Sequence, residues 1–324
     1  MNRKVTVVLY HYVRNLKNSQ FPSIKGLDIN DFNNQIKFLK KNYNLIKMED
    51  LIYSIDNNIS LPTKSVLLTF DDGYTDHFNN VLPILLENNI QGSFYPPVKA
   101  VVDNQLLDVN KIHHILASIS NSDLLIKDIF ILNDKYRKDY NLKFNDDYYK
   151  YYAIADRYDS EKIIFIKRFL QKGISEELRN IYTSFLFNKY INIPEIEFAK
   201  NLYMNIDQIK TMNNLGMHIG SHSYDHLWLG TLNTKEQEFQ IDKSIQFLNK
   251  IGVATNNWTM TYPYGSYNED TIKILSNKGC KLAFSTKVEI TNLDIQNKYE
   301  LPRIDTNDLP KVELEKTNNW YNLA

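Results

Sequence analysis

Short apolar runs alternate with amphipathic segments over the first hundred residues. Val5 to Tyr10, Asn44 to Lys47, Val66 to Phe70 and Gly92 to Tyr95 read as strands, with helices between them. Asp31 to Lys41 carries Phe32, Ile36, Phe38 and Leu39 at roughly helical spacing, and Phe78 to Leu86 presents another apolar face. Val66-Leu67-Leu68 is apolar without alternation, as expected of a parallel strand buried on both faces. From about residue 101 to 202 the alternation stops. Ile112, Ile115, Leu116 and Ile119, then Ile163, Ile166, Phe169 and Leu170, recur at helical spacing, and Tyr148, Tyr149, Tyr151 and Tyr152 cluster. This stretch reads as a helical insertion and not as a second α/β domain. The alternation resumes with helix Asp207 to Leu215, strand Met217 to Gly220, helix Lys235 to Ile251 and strand Thr259 to Tyr262. Helix Asn268 to Lys278 starts at a capping Asn268, with Glu269 and Asp270 in its first turn. Strands Leu282 to Ser285 and Leu301 to Ile304 complete the pattern. Seven or eight βα units predict an α/β fold of the (β/α)-barrel type, one domain over 1–324 interrupted by the insertion at about 101–202.

Composition narrows the function. Hydrophobic residues make up 43% and charged residues 23%, and Lys+Arg and Asp+Glu both number 38, so the formal net charge is zero. Bulk electrostatics therefore favours neither nucleic acid nor an anionic membrane as partner. The single cysteine, Cys280, excludes an internal disulfide and suits a reducing compartment. The run Val5 to Tyr10 is too short for a signal-peptide core, and no stretch reaches the ~18 apolar residues of a membrane helix. A cytoplasmic location is expected.

The polar residues that carry chemistry fall at the C-terminal ends of predicted strands, where a parallel barrel places its active site. His11 follows the first strand, Asp71 and Asp72 the third, His222 the strand Met217 to Gly220, and Tyr264 the strand Thr259 to Tyr262. Asp-Gly alone commonly marks a hairpin turn, but Asp71-Asp72-Gly73 follows a buried parallel-type strand and precedes a helix. Adjacent carboxylates resist ionising together unless a cation neutralises one of them. His222 and His226 share a face of a helical turn and can close on one ion, although a bare pair at this spacing also occurs in ordinary packing. One carboxylate and two imidazoles form a catalytic divalent-metal set with open positions, and the second carboxylate is then free to act as a base. Ser223 and Asp225 are candidates to fix an imidazole tautomer.

Thr69-Phe70-Asp71-Asp72-Gly73, Ser221-His222-Ser223-Tyr224-Asp225-His226 and Tyr262-Pro263-Tyr264-Gly265 resemble the first three motifs of the polysaccharide deacetylase family. This is the NodB-homology domain of carbohydrate esterase family 4, and the resemblance covers about residues 4–100 and 203–305. It implies a distorted (β/α)7 barrel and metal-dependent removal of an N-acetyl group from an amino sugar. It assigns Asp71 as general base, and Asp72, His222 and His226 as ligands of one divalent ion. Zinc is the first expectation, with cobalt, nickel, manganese or iron(II) as alternatives. The backbone N–H of Tyr264 is assigned to the oxyanion.

Two departures move roles to other residues. The family's third motif carries an arginine where this chain has Thr261, and its late histidine, the general acid, has no counterpart after His226. Leu9-Tyr10-His11-Tyr12 resembles the N-terminal Tyr-His of the poly-N-acetylglucosamine deacetylase branch, which makes His11 the candidate acid. Arg303, in Leu301-Pro302-Arg303-Ile304-Asp305, is the candidate arginine, with a structural ion pair as the competing reading. His113 and His114 point about 100° apart on a helix and do not chelate together. They read as packing residues, His218 as structural and His77 as a solvated residue at a helix start. Trp228 and Leu229 line an acetyl pocket or belong to the core, and the insertion's tyrosines suit a helical core better than stacking on sugar rings. The expected activity is deacetylation of an amino sugar or glycan precursor made in the cytoplasm. The alternatives are hydrolysis of another non-peptide C–N bond, in a formamide or cyclic amide, and a non-catalytic carbohydrate-binding barrel.

Overall fold

The computed structural model describes residues 3–155, 159–311, Trp320 and Leu323. Residues divide into two compact units, one of Met1–Asn15, Gly26–Gln105 and Ala199–Ala324, the other of Leu16–Lys25 and Leu106–Phe198.

The first unit holds the strands β1 (Lys4–Tyr10), β2 (Asn44–Leu45), β3 (Ser65–Asp71), β4 (Gly92–Tyr95), β5 (His218–Ile219), β6 (Met260–Thr261), β7 (Ala283–Phe284) and β8 (Ile304–Asp305). β3 is buried along its whole length and β1 at all but its first residue. Their side chains alternate between two apolar clusters. Val8, Tyr10, Leu68 and Phe70 enter one, and Val5, Val7 and Leu67 enter the other, with Tyr95, Phe284 and Leu301. Both faces of the sheet are therefore covered, and the near-continuous apolar runs follow from that.

β1 lies parallel to β3 from Val5 opposite Ser65 to Tyr10 opposite Phe70. β3 pairs in parallel with β2 and with β4, and β4 with β5. A parallel bridge from Ser221 to Met260 leads from β5 to β6, which pairs with β7. Phe284 bridges to Leu301, and β8, just beyond, runs parallel to β1 with Ile304 opposite Val8. The pairings thus pass from β1 through β7 and return to β1 by way of β8. Asp71, the Ser221-to-His226 turn, Thr261 and Arg303 all come from this circuit.

Helix boundaries follow local chemistry. Asp28 caps Ile29–Asn42, and capping boxes start Ile206–Asn214 at Asn205, Thr234–Lys250 at Asn233 and Glu269–Asn277 at Asn268. The helix expected between the second and third strands, for which the sequence pattern gave no bounds, is Met48–Asn57, burying Met48, Leu51 and Ile52 with Ser54. The segment expected as a helix from Phe78 begins instead with a π turn, His77–Val81, before Leu82–Glu87 continues with Pro83 in its first turn.

The second unit is helical. Asp108–Ser118, Ser122–Tyr136, Asn145–Tyr152, Glu161–Arg168 and Glu176–Tyr190 surround buried Leu125, Ile129, Phe165, Phe169, Tyr182 and Leu186. Tyr148 stacks on Tyr152 and meets Phe169 edge-on, and Tyr149 leans on Phe165, while Tyr151 is 71% exposed. His114 is buried between Phe21 and Phe198, and its Nδ1 donates to the Asn110 carbonyl at 2.8 Å. No described helix is long and apolar enough to cross a membrane.

Candidate metal centre and active site

β3 ends in a sharp turn that sends its two aspartates to different partners. Asp72 has φ of 71° and Gly73 of 65°, two successive left-handed residues. Aspartate tolerates that region better than most residues. Position 73 requires glycine for a second reason. A Cβ there would lie 2.7 Å from Cβ and 2.9 Å from Cα of Pro96.

Asp72 is buried, and its Oδ1 stands 3.3 Å from Nε2 of His222 and 3.3 Å from Nε2 of His226. Ligands about 2.0–2.1 Å from a tetrahedral ion stand about 3.3 Å from one another, so these spacings match a metal's ligand shell. The three candidate ligand atoms all lie within 4.8 Å of one another, and no other such group of three occurs among the described residues. Ser223 and His226 carry φ of 60° and 57°, so the histidine turn is held in backbone geometry that non-glycine residues avoid. Left-handed residues at three points of one small site are stored strain of the kind found at functional centres.

A neighbour orients one of the imidazoles. His222 Nδ1 faces the Thr261 carbonyl at 2.9 Å and the Thr261 hydroxyl at 2.6 Å, so its proton belongs on Nδ1 and Nε2 presents a lone pair. Burial opposes a charge on both rings. At His222 the Asp72 contact and the nearby Asp71 outweigh it and the pKa is raised; at His226 burial prevails and the pKa is lowered. Burial pushes Asp72 up, but its contacts with the two histidine rings hold it well below its ordinary value. Tyr74 donates its hydroxyl proton to the other Asp72 oxygen, Oδ2, at 2.6 Å.

Asp71 turns to Arg303. The guanidinium, 1% exposed, grips it through Nη1 to Oδ1 at 3.0 Å and Nη2 to Oδ2 at 2.7 Å. Its Nη1 also reaches the Thr69 hydroxyl at 3.1 Å, and its Nε donates to the Ser285 carbonyl at 3.1 Å. Burial pushes the Asp71 carboxyl up, and the charge and hydrogen bonds of Arg303 bring it below its ordinary value. Asp71 is therefore ionised beside the Asp72 carboxylate. His11 directly follows β1, on the side of the sheet's end where both aspartates lie. Tyr264, with φ of 58°, stacks on Trp228 at 4.3 Å and meets the His226 ring edge-on at 4.8 Å.

Two expectations need correction. Ser223 and Asp225 do not touch an imidazole ring. The Ser223 hydroxyl accepts from the His226 backbone, and Asp225 pairs with Lys99 and Gln240; Thr261 orients His222 instead. His77 is not solvated. The π turn drives it inward, fully buried, where Nε2 donates to the His11 carbonyl at 2.9 Å. Of the two readings open for Trp228 and Leu229, Leu229 takes the core, and Trp228 stacks on Tyr264 beside the site. His218 is structural as expected, bonding the Thr259 hydroxyl at 2.8 Å. Sequence reasoning also passed over Tyr74 and Thr261, whose roles depend on partners that no spacing announces.

The polysaccharide deacetylase family profile matches residues 58–123 and 177–283, more than half of the chain. No curated protein sequence matches it. Among solved structures the chain resembles the Streptococcus pyogenes deacetylase PplD in complex with acetate, with a TM-score of 0.58 and 16% identity over 96% of each chain. It also resembles IcaB from Ammonifex degensii, with a TM-score of 0.56 and 17% identity over 94% of this chain and 91% of that one. The deacetylase domain of BpsB from Bordetella bronchiseptica gives a TM-score of 0.55 and 15% identity over 94% and 96%. At such identities the three structures speak to the fold. The profile speaks to descent, and by it this chain belongs to the polysaccharide deacetylase family.

Proposed function

We propose that this chain is a metal-dependent hydrolase that removes the N-acetyl group of an amino sugar in a glycan or glycan precursor. The observation that carries the reading is Asp72 Oδ1 standing 3.3 Å from both histidine Nε2 atoms, beside an aspartate clamped by arginine. Asp72, His222 and His226 would hold the ion, with zinc favoured by two imidazoles and one carboxylate. A bound ion of this kind polarises the amide carbonyl and lowers the pKa of water to about 7.

The chain's own residues supply the rest. Asp71 is the general base. Arg303 occupies one lone pair on each of its oxygens, keeps it ionised and leaves further lone pairs to accept a proton from water. Arg303 is thus a positioning residue that stands in for the arginine missing at Thr261. The Tyr264 backbone N–H is the oxyanion donor, and His11 is the acid that protonates the departing amine. Trp228 stacked on Tyr264 offers an apolar wall beside His226 for the acetyl methyl. The frame is read as a distorted (β/α)7 barrel, supported by the closed circuit of pairings, and the whole as one domain carrying a helical insertion. A substrate made in the cytoplasm is part of the same reading, tested by fractionating cells that express the chain.

The deciding experiment measures bound metal and acetate release from chitooligosaccharides and nucleotide N-acetyl sugars. Wild-type protein should hold one ion and release acetate. Asp72→Ala should lose the ion, whereas Asp71→Asn should keep it and lose roughly 10²–10⁴-fold in turnover. Full metal retention in Asp72→Ala would overturn the ligand set. Metal without acetate release from any such sugar would favour another C–N bond or a binding role.

A further inference from the structure

Asp72 has two oxygens and only one faces the histidines. Oδ1 makes both 3.3 Å approaches, and Oδ2 is taken by the Tyr74 hydroxyl at 2.6 Å. An O–H to carboxylate contact of that length is in the short, strong range for a charge-assisted hydrogen bond. Tyr74 is fully buried and cannot easily swing away. Tyr12 stacks on one face of its ring at 4.0 Å and 17°, with the Arg14 guanidinium 4.6 Å from the Tyr12 ring. Tyr203 lies nearly parallel to the Tyr74 ring at 6.2 Å. The backbone fastens the same place, because Tyr74 bridges Tyr203 in antiparallel fashion and the Met204 N–H donates to the Gly73 carbonyl at 2.9 Å. Arg14 is itself held by Asp76 at 2.7 Å. The hydroxyl is thus delivered to Oδ2 by a ring locked in a stack of aromatic groups.

We propose that Tyr74 is a positioning residue that occupies Asp72 Oδ2 and so restricts Asp72 to a one-oxygen ligand, keeping the ion's remaining positions open for water and the substrate carbonyl. The inference rests on the reading of Asp72, His222 and His226 as the metal set. A carboxylate beside a divalent ion can bind through one oxygen or both, and the second mode consumes a position that hydrolysis needs. A hydrogen bond on the second oxygen favours the first mode and fixes the plane of the carboxylate. Partners of this kind commonly control metal affinity by 10–100-fold.

Tyr74→Phe tests this, because it deletes one oxygen and leaves the ring in its stack. Wild type and variant, each as the full chain, are titrated with Zn2+ and with Co2+ against a competing chelator, and the visible spectrum of the cobalt form is recorded. The expected result is a cobalt spectrum of changed shape and lower intensity in Tyr74→Phe as the freed Oδ2 joins the ion, with metal affinity displaced from wild type on the scale of about 10–100-fold. An unchanged cobalt spectrum in Tyr74→Phe would overturn the proposal, whatever the affinity. Failure of the wild type to bind either ion stoichiometrically would overturn the metal reading itself, so the two failures are told apart by the wild-type titration alone.

Discussion

At the scale of single residues, the site separates two neighbouring carboxylates by giving each its own set of partners. Asp71 receives Arg303, and Asp72 receives two imidazoles and a phenol. Each aspartate stays ionised despite burial, which opposes that state in both. Hydrolysis of an amide also needs a proton for the leaving amine, and His11 stands at the end of β1 on the same rim. Its backbone is pinned by His77 through the 2.9 Å bond to its carbonyl, which leaves the ring as the part that can act. His11→Gln should keep the metal and substrate affinity while kcat falls roughly 10²–10⁴-fold, and the pH–rate profile should lose its alkaline limb. Steady-state kinetics across pH is the check, and a wild-type kcat with an unaltered profile would remove His11 from the mechanism.

At the scale of elements, what the sequence disclosed and what it hid have a common cause. Apolar runs disclosed β1, β3 and β4 to within a residue or two, because a parallel strand covered on both faces must be apolar throughout. Asn268 disclosed its helix, because an N-cap works through its own side chain. The helix Met48–Asn57 went without bounds because it is short: about three turns carrying Met48, Leu51 and Ile52 mark a face but not where it starts and stops. The π turn at His77 stayed hidden because one extra residue per turn leaves no mark on composition. In the site Asp71, Asp72, His222 and His226, which the fold brings together, were legible as motifs, and Arg303 as the arginine nearest a late strand. Tyr74 and Thr261 were not, since a phenol or a hydroxyl acquires its role only from what the fold brings against it. The turn Asp72-Gly73 is the element on which all of this depends. Gly73→Ala combines a left-handed φ with a Cβ 2.7 Å from Pro96, so it should destabilise the protein by about 1–3 kcal/mol and weaken metal binding. Unfolding in urea alongside a metal titration would detect it, and wild-type values in both would refute the account.

At the scale of the whole molecule, buried neutral histidines make stability depend on pH. Burial holds His77 and His218 down to about 4, against 6.5 for an ordinary imidazole. The unfolded chain therefore binds more protons than the folded one between those values. Stability is full above about pH 6.5 and falls as pH drops towards 4, by up to roughly 3 kcal/mol for each ring. Urea unfolding at pH 7.5 and pH 5 should reveal this slope, and His77→Gln, which keeps a donor but cannot titrate, should flatten part of it. A slope unchanged in that variant would exclude His77 as a source. The pairing of Asp71 with Arg303 has a different kind of consequence, one of timing. The two residues lie 232 positions apart, so during synthesis the base, the histidines and most strands of the circuit leave the ribosome before the arginine does. Until Arg303 and β8 arrive, Asp71 has no guanidinium to hold it ionised and aimed. On the proposed roles, a nascent chain stays inert even with its ligand residues already made, and the enzyme is switched on by the completion of its own last strand.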